Sequence, residues 1–216
     1  MRVSVIVPTK DEPRAGELVD RIHEALRGID HEVVIVDKSS TPPRIENAIV
    51  IRQRSSGLGR AILEGLECAS GDIIVTMDGD LSHDPRHLPQ MLDMIPEYDI
   101  VIGSRFAAGG KSLDTPFRRL VSQAFRILAK LILGLGVADP LSGFSAMKRE
   151  VLQALDLNPM GYKIVTEILY KAKGKGFKAV EVPIEFRRRE AGRSKAGARE
   201  AARTLALMLR LRLGAR

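Results

Sequence analysis

The chain has 216 residues, 44% hydrophobic and 28% charged, with a net charge of +7 from 34 Lys and Arg against 27 Asp and Glu. That length suits one large α/β domain with a short appendage, and the apolar content excludes a disordered chain. The single cysteine, Cys68, excludes an internal disulfide framework; it suits a reducing compartment and reads as a small core residue. The first apolar run, residues 3–7, is too short for a secretory signal and meets Lys10-Asp11-Glu12 almost at once. No run reaches the roughly 18 apolar residues of a membrane span. The charge excess is local. From Arg187 onward ten basic residues face only Glu190 and Glu200, which points to an anionic partner such as phosphates, nucleic acid or an acidic membrane surface.

Residues 3–8 form a continuous apolar run, the pattern of a strand buried on both faces. Asp11-Glu12-Pro13 opens a helix to about residue 27, with Leu18, Ile22, Ala25 and Leu26 on its apolar side. Residues 32–37 (EVVIVD) are a second buried strand ending in a carboxylate, and residues 48–52 a third. Gly57-Leu58-Gly59 opens a helix to residue 69, and residues 72–78 are a fourth strand that runs into Asp78-Gly79-Asp80. Asp84 followed by Pro85 caps a helix through residue 95, and residues 98–103 are a fifth strand. This alternation predicts a mostly parallel sheet covered by helices, with right-handed crossovers.

After Arg105 the pattern changes. Residues 106–116 read as a loop, and residues 117–135 as a helix with Leu120, Phe125, Leu128, Leu131 and Ile132 apolar, interrupted by Arg126 and Lys130. Residues 139–149 (DPLSGFSAMKR) are a turn and a short extended piece. Helices follow at 150–155 and 162–173, then a strand at 178–186 and a basic loop at 187–197. An amphipathic helix, residues 198–213, closes the chain and carries Arg203, Arg210 and Arg212.

A buried strand that ends in two carboxylates around one glycine is costly unless those charges are compensated. At the carboxyl end of a parallel strand, where open α/β sheets bind ligands, the compensator is a divalent cation carrying a diphosphate. Four strand ends share that character: Pro8 to Glu12, Asp37, Asp78 with Asp80, and Gly103-Ser104-Arg105. Together they make a cleft. His83 beside the acids reads equally as a metal neighbour or a hydrogen-bonded structural residue. Glu167, inside a helix, reads as a packed residue with a solvated carboxylate rather than a base. Gly57-Leu58-Gly59 lacks the third glycine of a dinucleotide fingerprint and is not in the first βα turn, so it reads as a tight helix start. With 4% aromatic residues there is little on which to stack bases, which argues against nucleic acid as the partner.

The ordered motifs are VSVIVPTKDE (residues 3–12), VVIVD (33–37), GLGRAILEGLECASGD (57–72), MDGDLSHDP (77–85), DIVIGSRFAAGG (99–110), DPLSGFSAMKREV (139–151), GYKIVTEIL (161–169) and EVPIEFRRREAGRSK (181–195). This set resembles the family 2 inverting glycosyltransferases of GT-A fold, and within them the polyprenyl (dolichyl) phosphate mannose synthases. The resemblance implies an α/β GT-A catalytic domain over residues 1–197, followed by a basic amphipathic C-terminal helix, residues 198–216, as a membrane-interface element. It implies metal-dependent transfer of a hexose, from GDP-mannose by preference, to polyprenyl or dolichyl monophosphate. Asp78 and Asp80 match the family's metal pair for Mg²⁺ or Mn²⁺ and, with Arg105, its catalytic set. Pro8, Lys10, Glu12, Val36, Asp37 and Lys38, with Asp78, Gly79 and Asp80, fall where the family holds the donor. Arg105, Arg119, Arg189 and Lys195 match basic positions used on phosphates, a role that suits bidentate guanidinium; Arg118 competes with Arg119. The implied setting is peripheral, on the cytoplasmic side of a membrane, with a membrane-anchoring partner subunit as a further partner.

Three positions depart from the family pattern: Lys38 replaces a second acid, Lys10 a common tyrosine and Ser82 a glutamine. An ammonium donates only, so Lys38 cannot accept from a guanine edge as a carboxylate does. That keeps open a UDP-sugar donor, as in a dolichyl-phosphate glucosyltransferase, and a non-catalytic relative that only binds nucleotide sugar.

Overall fold

The computed structural model describes residues 1–187 and 198–214, with the side chains of Phe117, Arg118, Ala198 and Arg199 left aside. In chain order the elements are β1 (Val3–Thr9), α1 (Ala15–Ala25), β2 (His31–Asp37), β3 (Ile49–Arg52), α2 (Leu58–Cys68), β4 (Ile73–Thr76), α3 (Leu88–Asp93) and β5 (Ile100–Ser104). They continue with β6 (Lys111–Ser112), α4 (Pro116–Leu133), β7 (Ser145–Lys148), α5 (Arg149–Gln153), α6 (Ile164–Gly174), β8 (Ala179–Pro183), β9 (Glu185–Phe186) and α7 (Ala198–Leu213).

Seven strands form one sheet in the order β3-β2-β1-β4-β7-β5-β8. All neighbours are parallel except β7, which runs antiparallel to both β4 and β5. Successive side chains of a strand point to opposite faces. Val3, Val5 and Val7, with Val33, Ile35, Ile73 and Val75, therefore meet Leu18, Val19 and Ile22 of α1 and Leu88 and Met91 of α3. Ile6, Val34, Val36 and Ile74 meet the other layer, built from α2, α4, α5, α6 and α7. Both faces are covered, which is why the strands read as unbroken apolar runs. Packing is closest at α2: a Cβ on Gly65 would lie 2.5 Å from Ile6 Cγ2 and 3.0 Å from Val36 Cγ2. Gly65→Ala is accordingly expected to destabilise the fold by about 1–3 kcal/mol through overpacking, read as a lower urea midpoint at unchanged m-value.

The structure corrects the sequence at several ends. The first helix starts at Ala15 rather than at residues 11–13, because Asp11 takes φ +52° and gives its N–H to Ser39 Oγ (2.8 Å). β4 stops at Thr76, two residues before Asp78. Asp84 caps as predicted, accepting the Arg86 N–H (3.0 Å), but what it opens is a 3-10 turn, Pro85–His87, that leads into α3. The expected loop at 106–116 contains β6, which pairs in parallel with β9 as a separate small sheet. Cys68, expected in the core, is exposed at the last residue of α2. The final helix is docked: Leu207, Met208 and Leu211 are buried in the cluster that holds Ala129 and Leu133 of α4.

Candidate active site

The loop after β4 is fixed from both flanks. Thr76 Oγ1 donates to Gly143 O (2.9 Å), and the Met77 N–H reaches Ile6 O (3.3 Å). Gly79 lies on the end of β1, where a Cβ would sit 2.8 Å from Thr9 Cγ2 and 3.2 Å from Pro8 O. Gly79, which the family resemblance places in the donor site, thus has the protein's own strand as its close neighbour. Leu81 takes φ +60°, an uncommon conformation for a bulky side chain, so the turn is held by its surroundings.

Those surroundings are explicit. Ser82 gives Asp80 Oδ1 both its hydroxyl (2.5 Å) and its N–H (3.1 Å). The Asp78 N–H donates to His83 Nδ1 (3.1 Å), and His83 stacks on Phe144 with centroids 5.0 Å apart and meets the edge of Phe186. Burial pushes the His83 pKa below its ordinary value, against the pull of Asp78 and Asp80. A neutral ring whose Nδ1 already accepts from Asp78 has no lone pair there for a metal, so the structural alternative holds for His83. His87 Nε2 accepts the Glu185 N–H (3.2 Å), and His23 and His31 bond each other (2.7 Å).

Asp78 keeps about a third of its side chain, 36%, exposed. Opposite it is bare backbone: a Cβ on Gly143 would stand 3.3 Å from Asp78 Oδ1. Two hard carboxylates on an open loop, with a cradle that a side chain would fill, fit Mg²⁺ or Mn²⁺. Such ions take one or two protein carboxylates and complete their shell with phosphate oxygens and water. Among the described residues no group of three or more His, Cys, Asp or Glu is placed to hold a cation by itself.

Arg105 follows β5 and is bidentate on Asp139: Nε to Oδ2 is 2.7 Å and Nη2 to Oδ1 is 2.9 Å. Its guanidinium carbon also lies 5.4 Å from the Phe106 centroid and 5.2 Å from that of Phe186. Burial works against its charge, but the Asp139 bond, with Asp78 and Asp114 nearby, holds Arg105 above the ordinary arginine value. Asp139 is fully buried, and Glu181 of β8 accepts the N–H groups of Ala138 (2.5 Å) and Asp139 (2.7 Å). Neither Asp139 nor Glu181 was singled out from the sequence; the acid opening the DPLSG motif was the available signal.

At the opposite end of the cleft, Asp37 is buried and accepts from Thr9 Oγ1 (2.8 Å), Ser39 Oγ (2.9 Å) and the Ser39 N–H (2.9 Å), tying the ends of β1 and β2 together. Lys38 Nζ donates to Ser55 O (2.6 Å) and Gln53 O (3.4 Å). Pro8 and Glu12 are half-buried and Lys10 is exposed. Val36 is a correction: its side chain is sealed in the core and packs towards Gly65, with no surface for a donor. Arg119 is exposed on the first turn of α4, and Arg189 and Lys195 lie outside the described residues. Arg187 donates its N–H to Ser82 O (2.9 Å), and its Nη2 lies 3.1 Å from Asp84 Oδ2.

Three further residues complete the surroundings. Gly59 gives its N–H to Gly161 O (3.1 Å), and a Cβ there would lie 2.5 Å from Pro159 Cβ, so this glycine in the first turn of α2 serves close packing. Lys163, at the N-cap of α6, donates from Nζ to Leu141 O (2.8 Å). Burial pushes this amine below the ordinary lysine value, with Arg105 acting in the same direction and Asp78, Asp139 and Glu200 opposing. Glu167 is fully buried, contrary to the expected solvated carboxylate. Its Oε1 accepts from the Asn158 N–H (2.9 Å) and Lys171 Nζ (2.7 Å), and Arg210 of α7 is 3.8 Å from Oε2.

The profile of glycosyl transferase family 2 matches residues 4–156. The chain is 40% identical over 210 residues to the dolichol-phosphate mannosyltransferase of Pyrococcus furiosus, covering 90% of this chain and 59% of that protein. It thus spans less than two thirds of that relative. It is 35% identical to the polyprenol monophosphomannose synthase of Mycolicibacterium smegmatis, over 90% of this chain and 80% of that one. In fold it is similar to the glucosyl-3-phosphoglycerate synthase of Mycobacterium tuberculosis, solved with Mn²⁺, uridine diphosphate and glucosyl-3-phosphoglycerate. There the TM-score is 0.73 at 24% identity, over 98% of this chain and 80% of that one, a likeness of fold.

Proposed function

Because the chain belongs to glycosyl transferase family 2, we propose that it transfers a hexose, with inversion, from a nucleotide sugar to a polyprenyl or dolichyl monophosphate. The observation that carries this is the open Asp78-Gly79-Asp80 loop at the sheet's carboxyl edge, lying close to the Arg105–Asp139 pair. The names of the mannosyltransferase relatives favour mannose as the sugar, and GDP as its carrier follows from the resemblance of the motifs alone. Lys38 carries the second reading, a uridine donor, since its amine already serves two carbonyls and cannot accept from guanine.

Asp78 and Asp80 would hold Mg²⁺ or Mn²⁺, which when bound neutralises the diphosphate and stabilises the departing nucleoside diphosphate. Arg105 supplies a positive charge whose orientation Asp139 fixes in advance, so little reorganisation is needed as charge develops. Arg119, Arg189 and Lys195 are assigned to phosphate on the family pattern. The acceptor phosphate, with a second pKa of about 6, is already an anion near neutral pH. No general base is then required, consistent with a buried Glu167 engaged by Lys171 and a His83 committed to Asp78. A donor panel of GDP-mannose, UDP-glucose and UDP-N-acetylglucosamine, assayed with a polyprenyl phosphate and Mg²⁺ or Mn²⁺, tests the proposal. Product from one donor only would fix the base, and none from any would refute transfer.

A lipid acceptor also explains an unusual surface. α4 exposes Leu120 (64%), Ile127, Leu128 and Leu131 (77%), and α7, packed on it, exposes Leu205, Leu209 and Leu213. Arg119, Lys130, Arg203 and Arg212 are exposed on the same two helices. Leucines edged by basic side chains suit an anionic membrane surface, and among the described residues no helix is long and apolar enough to cross one. We expect the Leu120→Ser/Leu131→Ser double variant to bind anionic vesicles at least about tenfold more weakly, at unchanged melting temperature. Unchanged co-sedimentation would place docking elsewhere.

A further inference from the structure

We propose that Lys163 is an additional phosphate-binding residue of this cleft, contacting a phosphate oxygen of one of the two substrates; this rests on the transferase reading above. Lys163 is half-buried, and its ammonium has one acceptor among the described residues, Leu141 O. An ammonium carries three donors. Holding a single carbonyl needs only one, and a neutral side chain could do it without the cost of burying a charge.

The carboxylates around it do not supply the missing partners. Asp139 is taken by Arg105, and Glu200 accepts the Tyr162 N–H (2.8 Å). Asp78 is the remaining acid in range, and its carboxylate faces the Gly143 backbone, two residues beyond Leu141. A diphosphate held at Asp78 would therefore lie against the turn that Lys163 holds.

The position is also rigid. Glu200 fixes Tyr162, Gly161 O takes the Gly59 N–H, and Thr166 Oγ1 donates to Pro140 O (2.8 Å). Gly161 has φ +68°, and a Cβ there would lie 2.6 Å from Glu200 Oε1, so only glycine admits this clamp. A cation fixed before the ligand arrives contributes more than one that must be ordered on binding.

The source of the phosphate, donor diphosphate or acceptor monophosphate, is separated by the test. Calorimetry would measure GDP and UDP with Mn²⁺ in one arm and a short-chain polyprenyl phosphate in detergent in the other, for the unaltered protein, Lys163→Gln, Lys163→Met and Lys163→Arg. Gln keeps a neutral donor for Leu141 and so separates charge from the structural bond. The expected result is that Gln and Met weaken one arm by about tenfold to a hundredfold, with Arg closer to the unaltered protein and with similar melting temperatures. The affected arm identifies the substrate. Equal affinities in both arms for Gln and Met would overturn the assignment of Lys163 alone. Failure of the unaltered protein to bind either ligand would overturn the transferase reading, and this assignment with it.

Discussion

Asp78→Asn and Asp80→Asn are each expected to lower sugar transfer by about 10²–10³-fold or more, as loss of a preorganised charge-stabilising group does. The fold should survive both changes. Asp78 is a third exposed, and its bond to His83 Nδ1 is made through its own backbone N–H, which asparagine retains. At position 80, the asparagine carbonyl can still accept from the Ser82 hydroxyl and N–H. Melting temperatures within about 2 °C of the unaltered protein are therefore expected; a larger fall would mean that the acids serve the loop rather than a ligand. A readout independent of turnover is Mn²⁺-dependent binding of nucleoside diphosphate. It should weaken in both variants, while any metal-independent binding, supported at the Asp37 end, stays the same.

Asp139→Ala is the second large effect, and it falls on stability as well as activity. The Arg105–Asp139 pair is bidentate, with Asp139 fully buried and only 14% of the Arg105 side chain exposed. Removing one partner of a buried pair leaves an uncompensated charge and typically costs about 3–5 kcal/mol. For a domain of this size that corresponds to a fall in melting temperature of roughly 10 °C. Adding Arg105→Met should recover much of the stability, because the orphaned charge goes with it, yet activity should stay low. A double variant that regained both would reduce Arg105 to a structural residue. A single variant with an unchanged melting temperature would mean that water compensates the guanidinium.

The parts of the molecule that were legible in sequence are those set by local pattern. β1, β2, β4 and β5 announce themselves because both sheet faces are covered, and Asp78-Gly79-Asp80 announces itself because acids at the end of a buried strand need a cause. The reversal of β7 has no local signature: Ser145–Lys148 is four residues long, and nothing in them encodes direction. Partner choice was illegible for a different reason. Arg105 meets Asp139 across 34 positions and Lys163 meets Leu141 across 22, so either basic residue alone reads as a solvated charge. Val36 shows the opposite failure. Its place in a donor motif suggested contact, but strand alternation turns its side chain into the core beside Gly65. Gly79 was expected beside the donor and Gly59 in a tight helix start; the close neighbours that the fold gives them are Thr9 and Pro159.

The most direct measurement is the appearance of a sugar-phospholipid, recovered in organic solvent, from a labelled nucleotide sugar and a polyprenyl monophosphate in the presence of Mn²⁺ or Mg²⁺. The unaltered chain should form it with inverted configuration at the anomeric carbon, chelation of the metal should stop it, and Asp78→Asn should form almost none. Product formed at the full rate by Asp78→Asn, or undiminished by chelation, would contradict the assignment of this loop as the centre of the reaction.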